Sequence, residues 1–188
     1  LTSQERTLSL EYALYDEIRN AIRSYIPSMQ ETARAIAQID CLYSLADVAY
    51  ENHYTRPNLN QDQSIVIRDG RHPIIERYLK RELFVPNDVT LNHRDHEVLV
   101  ITGPNMAGKS TYMRQVAVLV LMTQVGSFIP AREASICPVD RIFTRIGASD
   151  DILTGQSTFM VEMKEVSYIL KHATPQSLLI LDEIGRGT

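Results

Sequence analysis

The chain has 188 residues, of which 44% are hydrophobic and 22% charged, enough for one medium domain plus an appendage. A formal net charge of −4 argues against this segment being the main grip on a nucleic acid, because phosphate binding needs clustered positive charge. No signal peptide opens the chain and its longest apolar run, Val116 to Met122, is too short to cross a bilayer. Cys41 and Cys137 lie far apart without metal-ligand spacing, which fits reduced thiols in a cytoplasmic protein.

In chain order, residues 1 to 52 read as helical. Thr2-x-x-Glu5 and Ser28-x-x-Glu31 have the form of capping boxes, and Pro27 separates two helices. Leu10, Leu14, Ile18, Ile22 and Tyr25 form one apolar stripe, the pattern of a face that packs on a core or another helix. A polar stretch, residues 53 to 63, is read as a linker. Residues 64 to about 95 mix short strands and turns, among them Gly70-Arg71-His72-Pro73, where the imidazole is expected to order the loop by hydrogen bonding. Lys80-Arg81 and the Arg141 to Arg145 group read as solvated or surface-pairing, and His93 with His96 lacks a third ligand for a metal.

From residue 96 onward the pattern is that of an α/β domain. Glu97-Val98-Leu99-Val100-Ile101 is an apolar run expected to form a strand buried on both faces. Gly103-Pro104-Asn105-Met106-Ala107-Gly108-Lys109-Ser110-Thr111 follows, matching Gly-x4-Gly-Lys-Ser/Thr at every defined position. Glycines in such a loop let successive backbone N–H groups turn inward around phosphate, where the N-terminal end of the next helix adds partial positive charge. Lys109 then supplies a full charge to the β- and γ-phosphates of a nucleoside triphosphate, and Ser110 a hydroxyl to Mg²⁺. Residues 109 to 125 contain no proline or glycine, and Gly126 is placed as a helix C-cap.

A phosphate loop needs a second strand with a metal-side carboxylate, and Leu178-Leu179-Ile180-Leu181-Asp182-Glu183 has the Walker B pattern. Asp182 emerges at the C-terminal end of the strand to hold Mg²⁺, while Glu183 is placed to polarise a water; a solvated strand end is the plainer alternative. Between the motifs, Gly155-Gln156-Ser157-Thr158-Phe159-Met160 precedes a helix whose apolar positions are Phe159, Met163, Val166 and Leu170, closed by Thr174-Pro175. A Ser/Gly-rich turn just before Walker B is where ABC-class ATPases carry their signature segment, although Ser157 also reads as an ordinary N-cap.

The segments Gly103 to Gln115, Ile142 to Asp151, Gly155 to Met163 and Asp182 to Thr188 closely resemble the ATPase region of the MutS family of DNA mismatch repair proteins. The Gly70-Arg71-His72-Pro73 turn and the Asp40 to Ala49 helix look like that family's approach to the domain, so the resemblance covers essentially the whole chain. It implies an ABC-class P-loop fold over residues 64 to 188, preceded by a helical stalk over residues 1 to 52. It also implies hydrolysis of ATP to ADP and phosphate with Mg²⁺, and pairing of two ATPase domains as a homodimer. The expected partners are mismatched DNA, gripped by domains that lie outside these residues, and downstream repair proteins such as MutL.

Carried over by position, Phe84 matches an adenine-stacking aromatic, Asn105 a loop asparagine near the γ-phosphate, and Ser157 a serine that acts on the partner subunit's nucleotide. On sequence alone, Phe84 fits core packing equally well. The same resemblance places further strands, a histidine-bearing switch segment and a dimerising helical region beyond Thr188. Two other readings remain: a nucleotide-dependent interaction module without turnover, and another ABC-class DNA-associated ATPase.

Overall fold

The computed structural model describes residues 2–79, 84–146 and 158–185, and all statements below concern these. They form a mixed α/β structure whose chain divides into two compact units, Leu1–Leu45 and Ala46–Thr188.

Helix α1 runs Ser3–Arg23 and opens on the expected capping box. Glu5 N–H donates to Thr2 Oγ1 at 3.4 Å, and Thr2 N–H donates to Glu5 Oε2 at 2.7 Å, so two end donors are satisfied reciprocally. Helix α2 spans Ile26–Glu51. Pro27 therefore sits in its first turn, where a missing N–H costs no helix bond, and the break falls at Ser24-Tyr25 instead. This corrects the second expected capping box: Ser28 lies inside α2, and its carbonyl accepts Thr32 Oγ1 at 3.0 Å. The apolar stripe of α1 is also exposed, every member by at least 50%, and not packed as its periodicity suggests. Among the described residues nothing covers it.

In the second unit, strand β2, Ser64–Gly70, alternates side chains so that Ile65 and Ile67 point inward. It lies at the centre of a four-stranded sheet ordered β1 (Asn58–Leu59), β4 (Glu133–Ile136), β2, β3 (Asn87–Asn92). β2 is antiparallel to both neighbours, and β1 runs parallel to β4. Part of the polar stretch read as a linker is thus paired. Thr55 bridges Ile129, and Asn60 Nδ2 donates to Ser135 Oγ at 2.8 Å. Helix α3, Pro73–Tyr78, has proline in its first turn.

Helix α4, Lys109–Gln124, buries Val116, Ala117, Leu119 and Val120 in one cluster with Ile65, Ile67, Val89, Ile129 and Ile136 of the four-stranded region. The same cluster takes in Leu178 and Ile180 from a second, two-stranded sheet, which sets α4 in contact with both. That sheet pairs β5, Ile142–Arg145, with β6, Leu178–Leu181, in parallel. Parallel neighbours need a crossover, and α5, Thr158–His172, lies between them in sequence. The α4 terminus is as expected: Gly126 takes φ +87° and donates to Thr123 O at 3.1 Å, while Ser127 donates to Met122 O at 3.0 Å, the paired bonds of a Schellman cap.

Two expectations are corrected here. Residues 97–101 form no strand; Val98 is 78% and Val100 83% exposed. A strand exists only when a neighbour accepts its backbone bonds, and no described residue pairs with this run. In α5 Glu162 and Ile169 are buried, and Met163 and Val166 half-buried as their spacing suggests, whereas Phe159 and Leu170 stand exposed. Helical spacing was right but the helix is rotated by about one position, because a carboxylate with a specific hydrogen-bond partner occupies the inner face.

Candidate nucleotide site

The glycine-rich loop takes a left-handed conformation at Gly108, as its sequence predicts, and a second at Met106, which its sequence does not. Gly108 adopts φ +85° as the residue before α4, and Met106, fully exposed, takes φ +64°. Left-handed geometry at Gly108 is what a Cβ-free residue permits, and it turns the chain sharply into the helix. Lys109 opens α4 and reaches back over the loop, its Nζ donating to Gly103 O at 2.7 Å and to Pro104 O at 2.8 Å. The ammonium thus sits above the loop, held by two carbonyls that bear only partial charge.

Ser110, the next residue, donates from Oγ to Asp182 Oδ2 at 2.5 Å. This bond joins the N-terminus of α4 to the end of β6 across 72 positions. Asp182 is only 9% exposed, and its own N–H donates to Arg145 O at 2.7 Å, which fixes it to the end of β5. Its neighbour Glu183 is exposed and takes φ +53°, a left-handed conformation uncommon for a residue with a Cβ. The helix start that follows the loop and the end of β6 therefore meet through this bond, although residues 97–101 leading into the loop have no strand partner among the described residues.

Beside the loop lies a cavity of about 590 Å³, lined by Phe84, Ala107, Gly108, Lys109, Thr111 and Tyr112 among others. Phe84 is half-buried and contributes to the cavity lining. Of the remaining residues named from sequence, Gly103, Pro104, Asn105 and Met106 are exposed on the loop outside this lining. Ser157 lies outside the described residues.

Sequence reasoning missed Tyr112. Its hydroxyl donates to Asp88 O at 2.8 Å, bracing the α4 side of the cavity against β3, and burial followed by the nearby Asp88 carboxylate raises its pKa. The available signal was an aromatic three residues after Lys109, on the same face of the helix. Asp88, also in the lining, is held below the usual carboxylate range because its Oδ1 accepts Asp69 N–H at 2.8 Å and Oδ2 accepts Arg68 at 2.9 Å.

His72 and Arg145 depart from expectation. His72 is 5% exposed at the N-cap of α3, and its Nδ1 has no hydrogen-bond partner among the described residues. The turn is ordered by Arg71 instead, whose Nε lies 2.6 Å from Glu76 Oε1 and whose N–H donates to Pro130 O at 2.8 Å. Burial, then the Arg114 charge, lowers the His72 pKa. Arg145 is not a solvated cation: it is buried at the end of β5 and ion-paired to Glu165 of α5, Nε to Oε2, at 2.8 Å.

The chain is a mixed α/β protein in which a glycine-rich loop, a helix N-terminus and a strand-end carboxylate converge on one site. Residues 99–188 match the family model described as MutS domain V. Over all 188 residues the chain is 58% identical to the DNA mismatch repair protein MutS of Alkaliphilus metalliredigens, covering 100% of this chain and 21% of that protein. The MutS proteins of Clostridium tetani and Acetivibrio thermocellus are each 56% identical over the same 188 residues, which are 21% and 22% of their lengths. Over its whole length the chain is thus similar to a segment of MutS proteins, and its residues 99–188 correspond to MutS domain V. It spans about one fifth of the length of the curated relatives it matches.

Proposed function

We propose that residues 64–188 form the N-terminal part of an ABC-class P-loop ATPase domain that binds Mg²⁺-ATP and, in the full-length protein, hydrolyses it to ADP and phosphate. The observation that carries this reading is the Ser110 Oγ to Asp182 Oδ2 hydrogen bond, one residue after a lysine whose side chain folds back on the loop. It aligns two hard oxygen donors of the sort Mg²⁺ accepts, next to the helix end that attracts phosphate.

The residues fit the nucleotide for a further reason. Lys109 Nζ rests on two neutral carbonyls, and phosphate oxygens are stronger acceptors reached by a small swing of the same side chain. The loop amides of Gly103, Asn105, Met106, Ala107 and Gly108, with those of Lys109, Ser110 and Thr111 at the helix start, then face the phosphate chain, while Pro104, which has no N–H, only shapes the loop. Phe84 stacks on the base; such stacking contributes roughly 1–3 kcal/mol and tolerates different bases. When bound, Mg²⁺ neutralises phosphate charge. Ser110 and Asp182 hold it, Lys109 offsets the charge that develops on the transferring group, and Glu183 orients and polarises the attacking water.

The wider role rests on the MutS proteins that the chain resembles. Residues 1–52 act as a stalk that carries the nucleotide state to mismatched double-stranded DNA bound elsewhere in the protein. Two ATPase domains face each other as a homodimer, Ser157 of each acting on the other's nucleotide, and MutL-type proteins read the outcome in the cytoplasm. Titration with a fluorescent ATP analogue, with and without Mg²⁺, and phosphate release by the full-length parent test the proposal together. Binding without release would favour a nucleotide-dependent interaction module; absence of Mg²⁺-dependent binding would sink the reading.

A further inference from the structure

Glu162 is a charged residue on the inner face of α5 and is only 2% exposed. Burying an ionised carboxylate is costly unless hydrogen bonds replace water, and the Gly185 N–H donates to its Oε1. Gly185 closes the turn that follows β6, at φ +84°, two residues after Glu183 at φ +53°. A left-handed residue with a side chain persists only when its surroundings hold it there.

The Asp182–Gly185 turn is held at both ends. On the strand side, Asp182 N–H is bonded to Arg145 O, and the Arg145 side chain is paired with Glu165 of α5. On the far side, Gly185 N–H is bonded to Glu162, three residues before Glu165 on the same helix. One helix therefore supplies a carboxylate to each flank of the turn that bears Glu183.

We infer that Glu162 is a positioning residue: by accepting the Gly185 N–H it fixes the turn that aims Glu183, and it ties that aim to the placement of α5. This rests on Glu183 orienting the attacking water, as proposed above. An oxygen acceptor at residue 162 keeps the turn in its left-handed conformation, whereas its loss lets Glu183 relax away from the reacting position. Nucleotide affinity, which depends on Lys109 and the loop amides, is left alone.

The test compares Glu162→Ala, Glu162→Gln and Glu183→Gln in the full-length protein, measuring kcat with saturating Mg²⁺-ATP, the Kd of a fluorescent ATP analogue, and the thermal midpoint. Glu162→Ala is expected to lower kcat about 10–100-fold, the usual cost of misplacing a reacting group by about 1 Å, with Kd changed by less than about 3-fold. Glu162→Gln should recover most of the loss, since its amide oxygen accepts the same N–H. Adding Glu162→Ala to Glu183→Gln should lower kcat no further, because the two act through one group.

The inference is overturned if Glu162→Ala keeps parental kcat, if Glu162→Gln is as impaired as Glu162→Ala, if kcat, affinity and midpoint fall together, or if the double variant is additive. Parental turnover by Glu183→Gln alone would instead remove the role given to Glu183, a separate failure visible in the single variant.

Discussion

Lys109 carries a full positive charge at the mouth of the site, and its present partners are two backbone carbonyls. Lys109→Ala leaves phosphate charge to backbone dipoles, so affinity for a fluorescent ATP analogue should fall at least about 10-fold, the loss of one charge-assisted contact of about 1.5–3 kcal/mol. An unchanged Kd would remove Lys109 from the phosphate site. Asp182→Asn should weaken Mg²⁺-dependent binding, because an amide replaces the buried anion bonded to Ser110. Glu183→Gln, by contrast, should leave binding intact and stop most phosphate release in the full-length protein. Both variants hydrolysing at the parental rate would refute the Walker B assignment.

His72 gives a pH dependence of known sign. Its folded pKa lies below the ordinary 6.5 because burial and Arg114 disfavour the imidazolium. The unfolded chain then binds the proton more readily, so the contribution of His72 to stability is complete above pH 6.5 and is lost as pH falls through the lowered folded value. Denaturation midpoints at about pH 5 and about pH 8 should differ less in His72→Gln than in the parent. An identical pH slope in the two proteins would show that His72 does not titrate in this way.

At the scale of elements, the end of α4 is set by one glycine. Gly126 is left-handed, and a Cβ there meets no atom within 4 Å, so Gly126→Ala is opposed by backbone conformation alone. Thermal unfolding should show a loss of about 1–2 kcal/mol. A stabilised variant would contradict the cap. Leu119, fully buried where α4 meets both sheets, should cost about 2–5 kcal/mol when cut to alanine, read as a lower denaturant midpoint. The helix and its cap were legible because hydrogen bonds to near neighbours decide them. The α5 face was not, since hydrophobic periodicity gives no credit to Glu162, whose partner Gly185 is 23 positions away.

For the molecule as a whole, the carboxylate of the site stands on a two-stranded sheet, with Val98 and Val100 exposed ahead of the glycine-rich loop. Two strands are marginal alone, and an unpaired apolar run associates readily with other chains. The 188-residue chain by itself is therefore expected to bind nucleotide weakly and to release phosphate no faster than its Lys109→Ala variant. Robust turnover by a monomeric sample, abolished in that variant, would show that a second copy contributes nothing to the site. No described helix is long and apolar enough to cross a membrane, so the exposed stripe of α1 is not a spanning segment.

Local order along the chain determined the glycine-rich loop, the carboxylate at the end of β6, the first capping box and the Gly126 cap. Each of these depends on residue types at fixed short spacing, where backbone geometry leaves few alternatives. Only the tertiary structure decided that Ser110 meets Asp182, that Glu162 rather than Phe159 faces inward, that Arg145 is buried, and that residues 97–101 remain unpaired. Those outcomes depend on partners far away in sequence. A buried charge or a strand is stable only where the fold brings it a hydrogen-bond partner, and spacing within one segment carries no information about where that partner lies.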